Sequence, residues 1–278
     1  PSWSGIYINT EKSNKLIHVV IENAGQGKTF GVFNDFSAAL TLDGTVSMEN
    51  STITKSGDMG IIINDRSATD IREFAGNTIK DCENFPILSN FNYLQALNLS
   101  DNSYSDNGRN MVAVTDRYTD RLTVTTELDG LEIPYFLMGD FDLYADLTLN
   151  RGVEFVMDQN SVIEHVAGDD FRLQIKGTEN DHVVIRGGES ENGYWQGLYI
   201  TSANSSNTFE YLDISDGGGQ KLTFGEGKAN VSVEFEGDLT MINCTSARSG
   251  NCEVFLSRFG GSPSFTNESP AITNVCEE

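Results

Sequence analysis

Apolar residues in this chain come in short runs, separated by Asn, Gly, Ser and Asp, and the runs recur. Ser51-Thr-Ile53 is followed by Met59-Gly-Ile-Ile-Ile63, Asn77-Thr-Ile79 by Phe85-Pro-Ile-Leu88, and Asn102-Ser-Tyr104 by Met111-Val-Ala-Val114. Ile53, Ile79 and Tyr104 lie 26 and 25 residues apart. Alternation within the runs turns Ile, Val, Leu and Phe to one side and Thr, Ser, Asp and Lys to the other, the period of a strand. A unit of this size cannot bury its apolar side alone. Stacked units can, pairing edge to edge at about 4.8 Å. The pattern therefore predicts an all-β fold, a parallel β-helix in which each repeat is one rung. Asn at a repeated turn position can hydrogen-bond along the stack and satisfy turn amides. Helix signals are weak and confined to Phe91–Leu99 and Arg117–Arg121. A β-sandwich is the competing fold. It calls for hairpin turns such as Asp43-Gly44 and Asp129-Gly130, which do not recur at the rung spacing.

A larger repeat overlies the small one. Trp3-Ser-Gly-Ile-Tyr-Ile8 returns as Trp195-Gln-Gly-Leu-Tyr-Ile200, an offset of 192. His18-Val-Val-Ile-Glu-Asn-Ala-Gly25 answers Tyr211-Leu-Asp-Ile-Ser-Asp-Gly-Gly218, Ser56-Gly57 answers Ser249-Gly250, and Ile61–Ile63 answers Val254–Leu256, all at 193. The duplication divides the chain into a first module, residues 1–130, and a second, 131–278. With 278 residues at about 25 per rung, ten or eleven rungs are expected in one solenoid roughly 50 Å tall. A break is expected near 115–135, where the rung pattern lapses.

Charge narrows the partners. Forty-one acidic against 18 basic residues give a net charge of −23. That field repels phosphate backbones and anionic lipid, so no nucleic-acid partner is expected. No apolar window is long enough to span a membrane. The scattered carboxylates read as a solvated surface, with calcium binding as the alternative and no other cofactor implied.

The run Ile133-Pro-Tyr-Phe-Leu137, Ala145-Asp-Leu-Thr-Leu149, Gly152-Val-Glu-Phe155, Ile175-Lys-Gly-Thr178, Val183-Val-Ile-Arg186 and Tyr194–Ile200 resembles bacterial right-handed parallel β-helix surface and envelope proteins of the pectate-lyase-like superfold. Asn150-Arg151-Gly152 stands where that family commonly has Pro-Gly. The resemblance covers 131–260, and 1–65 through the duplication. It implies a right-handed β-helix that is secreted or held in the cell envelope, periplasmic or on the outer surface, by a lipid anchor in one form. The first copy lacks the stretch that precedes Trp195 in the second, so the chain is expected to open in mid-module.

Candidate chemistry is sparse. His18, His165 and His182 have no metal-ligand spacing and read as strand or turn residues. Gly217–Gly219 reads as a turn, because no Lys-Ser or Lys-Thr follows it. The best charged cluster is Asp116, Arg117, Asp120 and Arg121. Its carboxylates and guanidiniums could hold calcium and abstract a proton from an acidic sugar, or form ion pairs on a linker. Trp3 and Trp195 could stack on sugar rings or close equivalent strands. The sequence is therefore read as a non-catalytic surface, adhesive or glycan-binding scaffold with extracellular polysaccharide or cell-surface glycan as partner. The alternative is a polysaccharide lyase or glycoside hydrolase using Asp116, Asp120, Arg117 and Arg121.

Four cysteines occur, without a CxxC pair. Met241 and Phe265, Asn243 and Asn267, and Cys252 and Cys276 share an offset of 24. If that offset is one rung, Cys252 and Cys276 are stacked neighbours within reach of a disulfide. The competing reading leaves all four reduced and buried, with Cys82 in a turn position shared by Ser56 and Asn107.

Overall fold

β-Branched and aromatic runs bounded by left-handed Asn, Asp and Gly turns become strands of two to six residues. The computed structural model describes residues 2–27, 36–64, 69–116, 121–165, 170–219 and 227–278. Strand pairing is parallel from rung to rung, which removes the sandwich, since a sandwich needs antiparallel hairpins. The helix signal at 91–99 resolves into three short 3₁₀ turns, Phe91–Tyr93, Gln95–Leu97 and Leu99–Asp101. Of the second weak helix signal, residues 117–120 lie outside the described residues, and Arg121 opens the strand Arg121–Leu122. No helix among the described residues is long and apolar enough to cross a membrane.

Two compact units are present: residues 1–119 with 131–135, and 120–130 with 136–278. In the first, Ile6–Ile8, Ala38–Leu42, Met59–Ile63, Ile87–Ser89 and Val112–Thr115 pair in that order. Their inward line, Leu40, Ile61, Ile87 and Val112, is fully buried. Ile53 pairs with Ile79 and Ile79 with Tyr104, the 26- and 25-residue rungs of the sequence pattern. The Asn ladder is also there. Asn77 Oδ1 accepts from the Ser51 amide and Asn102 Oδ1 from the Asn77 amide, each at 3.0 Å. Asn107 Oδ1 accepts from the Cys82 amide at 3.1 Å.

The second unit stacks on three sheets. Rung length varies in both units: Ile6 pairs with Leu40 34 residues on and Leu40 with Ile61 21 on in the first, and Leu198 with Val231 33 on and Val254 with Val275 21 on in the second. The offset of 24 near the end is not a rung. Phe265 pairs with Leu239 and Asn267 with Met241, a 26-residue rung. A slip of two keeps each side chain on its face, which is how the wrong register looked plausible. Cys276 pairs with Phe255, not Cys252. A disulfide nevertheless joins Cys252 to Cys276, with Cα atoms 6.0 Å apart. It runs diagonally. The amides of Glu253 and Val254 both donate to Asn274 O, the pattern of a bulge, which bends the strand. Cys82 and Cys244 are free and buried, and burial pushes the Cys82 thiol up to about 11.

The duplication is legible in backbone geometry. Left-handed positions His18, Asn50, Lys55 and Gly25 in the first unit match Tyr211, Asn243, Arg248 and Gly218 in the second. Gly5 and Gly197 share φ of 116° and 126°. A Cβ on Gly5 would lie 2.4 Å from Ala38 O, and one on Gly197 2.6 Å from Ala229 O. Only glycine fits under the next rung there.

Candidate functional site

Of the charged cluster singled out in the sequence, Asp116 and Arg121 are described. Asp116 is half-buried just beyond the strand Val112–Thr115, in the first unit. Arg121 is exposed in the second, its guanidinium 4.8 Å from the Tyr144 ring centroid. Arg117 and Asp120 lie outside the described residues. The two tryptophans occupy one seat twice. Trp3 Nε1 donates to Glu22 O at 3.1 Å and Trp195 Nε1 to Ser215 O at 2.7 Å. Trp195 is completely buried and offers no face to a sugar, whereas Trp3, on the terminal rung of its unit, is 41% exposed. His18 sits on an exposed left-handed turn. His182 Nδ1 lies 2.9 Å from Asp213 Oδ2, and the Thr245 hydroxyl donates to the other oxygen of that carboxylate at 2.6 Å. The glycines at 217–219 form a turn in which Asn230 Oδ1 accepts from the Gly217 amide.

Register assembles a different group. In the second unit, Arg121 pairs with Asp142, Asp142 with Glu164, Glu164 with Tyr199, and Tyr199 with Ser232. Strand alternation sends this whole line outward, because Phe141, Leu143, Ile163 and His165 on either side of it are buried inward. Asp140 and Glu234 stand two residues along their strands from Asp142 and Ser232, on the same face. The line grades from an exposed end at Arg121 and Asp140 through half-buried Asp142 and Glu164 to buried Tyr199, Ser232 and Glu234.

Electrostatics follow from that burial. Desolvation raises the Glu164 carboxyl above its ordinary range, and the Asp142 charge, a hydrogen bond to Asp142, and the charges of Asp140 and Glu234 push the same way. Burial alone lifts Glu234 to about 7. Glu164 therefore holds its proton to higher pH than an ordinary glutamate. On the inner side, desolvation lowers His165 to about 4, against a smaller upward push from Asp146. Neither His165 nitrogen nor Ser232 Oγ has a hydrogen-bond partner. Among the described residues no three His, Cys, Asp or Glu side chains converge closely enough to hold a metal ion. No local motif announces this column. Asp142 and Glu164 are 22 residues apart and Glu234 a further 70. The available signal was a polar residue at an outward position between two apolar ones, as in Phe141-Asp-Leu143 and Ile163-Glu-His165.

A second face carries a polar ladder. Glu127, Thr148, Gln174, Thr208, Thr240 and Thr266 follow one another in register down six strands. Beside them run Asn150, Lys176, Glu210, Ile242 and Glu268. Their inward neighbours Leu149, Ile175, Phe209 and Met241 are fully buried.

Residues 2–126 match the family model described as "Right handed beta helix region". The protein is a right-handed parallel β-helix. A stretch of 82 residues, 30% of the β-helix chain, is 29% identical to a protein named UDP-N-acetylmuramyl-tripeptide synthetase from Limosilactobacillus reuteri (strain DSM 20016). The stretch spans 14% of that protein's length. No solved structure matches the β-helix.

Proposed function

We propose that this β-helix is a non-catalytic scaffold, secreted or held in a cell envelope, that binds glycan on its surface. The observation that carries the reading is the six-strand polar face. It presents threonine hydroxyls and a glutamine amide at intervals of about 4.8 Å, on a stack whose interior is rigidly packed. Such a row offers donors and acceptors to a hydroxyl-rich chain without ordering any loop first. The Cys252–Cys276 bond supports an oxidising, extracytoplasmic location, since thiols are kept reduced in the cytosol. The short stretch shared with a protein named as a synthetase covers too little of it to lend support to that activity here.

A glycan array tests this reading, repeated with Thr208→Val and Thr240→Val combined. Loss of binding in the double variant is expected. Binding to no glycan would sink the proposal.

One observation favours a second reading as a hydrolase or lyase, namely the register pair of half-buried carboxyls Asp142 and Glu164, the second raised by desolvation. A carboxyl that keeps its proton to higher pH next to another carboxyl is suited to acid–base catalysis. Turnover of a polysaccharide that disappears in Glu164→Gln would establish this reading in place of the first.

A further inference from the structure

We propose that the outward line Glu164–Tyr199–Ser232–Glu234 is a binding site for a primary ammonium group. The inference goes beyond glycan binding by the six-strand polar face, uses none of its residues and can hold if that reading fails.

The acidic residues alone would mark nothing in a chain of net charge −23. The further observation is Ser232 Oγ. It is fully buried, lacks a hydrogen-bond partner, and shares its outward line with Glu164 and Tyr199 through successive register pairs. A buried hydroxyl left without a partner costs about 1–3 kcal/mol. Such a group in a native fold asks for an occupant.

The surroundings say what kind. Glu164 and Glu234 have no cationic partner among the described residues, although Glu234 is only 4% exposed. A half-buried and a buried carboxyl without a counter-charge among the described residues favour an incoming cation. A metal ion does not suit the set, because among the described residues no three acidic, His or Cys side chains converge. An ammonium does. It has three donors and no acceptor, and every polar group in the line can accept. Its hydrogens can be taken by a carboxylate and by Ser232 Oγ, with Tyr199 between Glu164 and Ser232 in the register. The graded burial gives a direction of entry, from the open end at Asp140 and Asp142 past Glu164. The same chemistry could be offered by a free alkyl polyamine or by an unacetylated amino sugar, and the test separates them.

Spermidine, a hexamer of β-1,4-linked glucosamine, and its fully N-acetylated counterpart would be titrated into the full chain at 150 mM salt, where diffuse attraction is largely screened. At least one of the two amines is expected to bind, and, where the glucosamine hexamer binds, the acetylated hexamer is expected to bind at least tenfold more weakly. Spermidine alone would identify a polyamine site, and the glucosamine hexamer alone an amino-sugar site. Glu164→Gln should weaken amine binding about tenfold and Ser232→Ala, a small change that spares the fold, about threefold. Glu154→Gln, which alters an acid paired with Arg186 on another sheet, should leave it within twofold. Failure of both amines to bind overturns the proposal. So does binding that Glu164→Gln and Glu154→Gln reduce equally, which would be attraction to net charge. Equal binding of the two hexamers would overturn it too, while leaving glycan recognition by hydroxyl groups intact.

Discussion

Ser51 and Cys244 hold the same place in the two repeats. Each donates its backbone amide to a side-chain oxygen one rung on, Asn77 Oδ1 at 3.0 Å and Ser269 Oγ at 2.9 Å. Both amides are buried, so neither has water as an alternative. The duplication has preserved the acceptor while changing the residue that supplies it.

Asn77 does more than Ser269. Its Nδ2 also donates to Met48 O at 2.9 Å, so Asn77→Ala leaves a buried amide and a buried carbonyl without partners. A loss of about 2–4 kcal/mol in urea unfolding is expected. Ser269→Ala orphans only the Cys244 amide and should cost about 1–2 kcal/mol. Equal costs would mean that water takes over in the first unit.

The twin tryptophans should separate just as clearly. Trp195 is fully buried, and Trp195→Ala should cost about 3–5 kcal/mol through the cavity it leaves. Trp3, 41% exposed, has less to lose, and Trp3→Ala should cost about 1 kcal/mol. Thermal melts of both variants check the ranking.

The denatured, unreduced chain should titrate two thiols, those of Cys82 and Cys244. Cys276→Ser opens a bridge of sequence separation 24 and should lower stability by about 3 kcal/mol. Reductant should reproduce that loss in the parent and have no effect on the variant.

Two buried groups pull the pH dependence in opposite directions. Glu234 rises from its ordinary 4.5 to about 7 in the fold. Its contribution is complete below 4.5 and is lost as pH climbs through 7, by up to about 3 kcal/mol. His165 falls from 6.5 to about 4. Its contribution is complete above 6.5 and is lost as pH drops toward 4. Stability should peak between about 4.5 and 6.5, and Glu234→Gln should reduce the alkaline loss, leaving the part that the raised Glu164 contributes. Urea midpoints at pH 4, 5.5 and 8 test this.

The fold was open to reading because a rung is a local rule. Asn77 and Asn102 announce it with a fixed turn residue, and the apolar run after each confirms the strand. Where turn lengths vary the rule fails, as at the end of the chain. There the 24-residue offset sets Phe265 against Met241, although Phe265 pairs with Leu239. The acidic line was illegible for a deeper reason. Whether Glu164 stands beside Asp142 depends on register across turns of unequal length, and no local signal encodes that. Arg121 was noticed for its neighbours in sequence, yet its register partner is Asp142.

The disulfide also changes what tension can do to the second unit. A strand pair in a β-helix is peeled apart by pulling, and each released rung adds its whole length to the extended chain, about 3.5 Å per residue. The bridge from Cys252 to Cys276 withholds the residues between them from that extension. The segment would stay looped while the rungs before it unravel, shortening the recovered contour by roughly 80 Å.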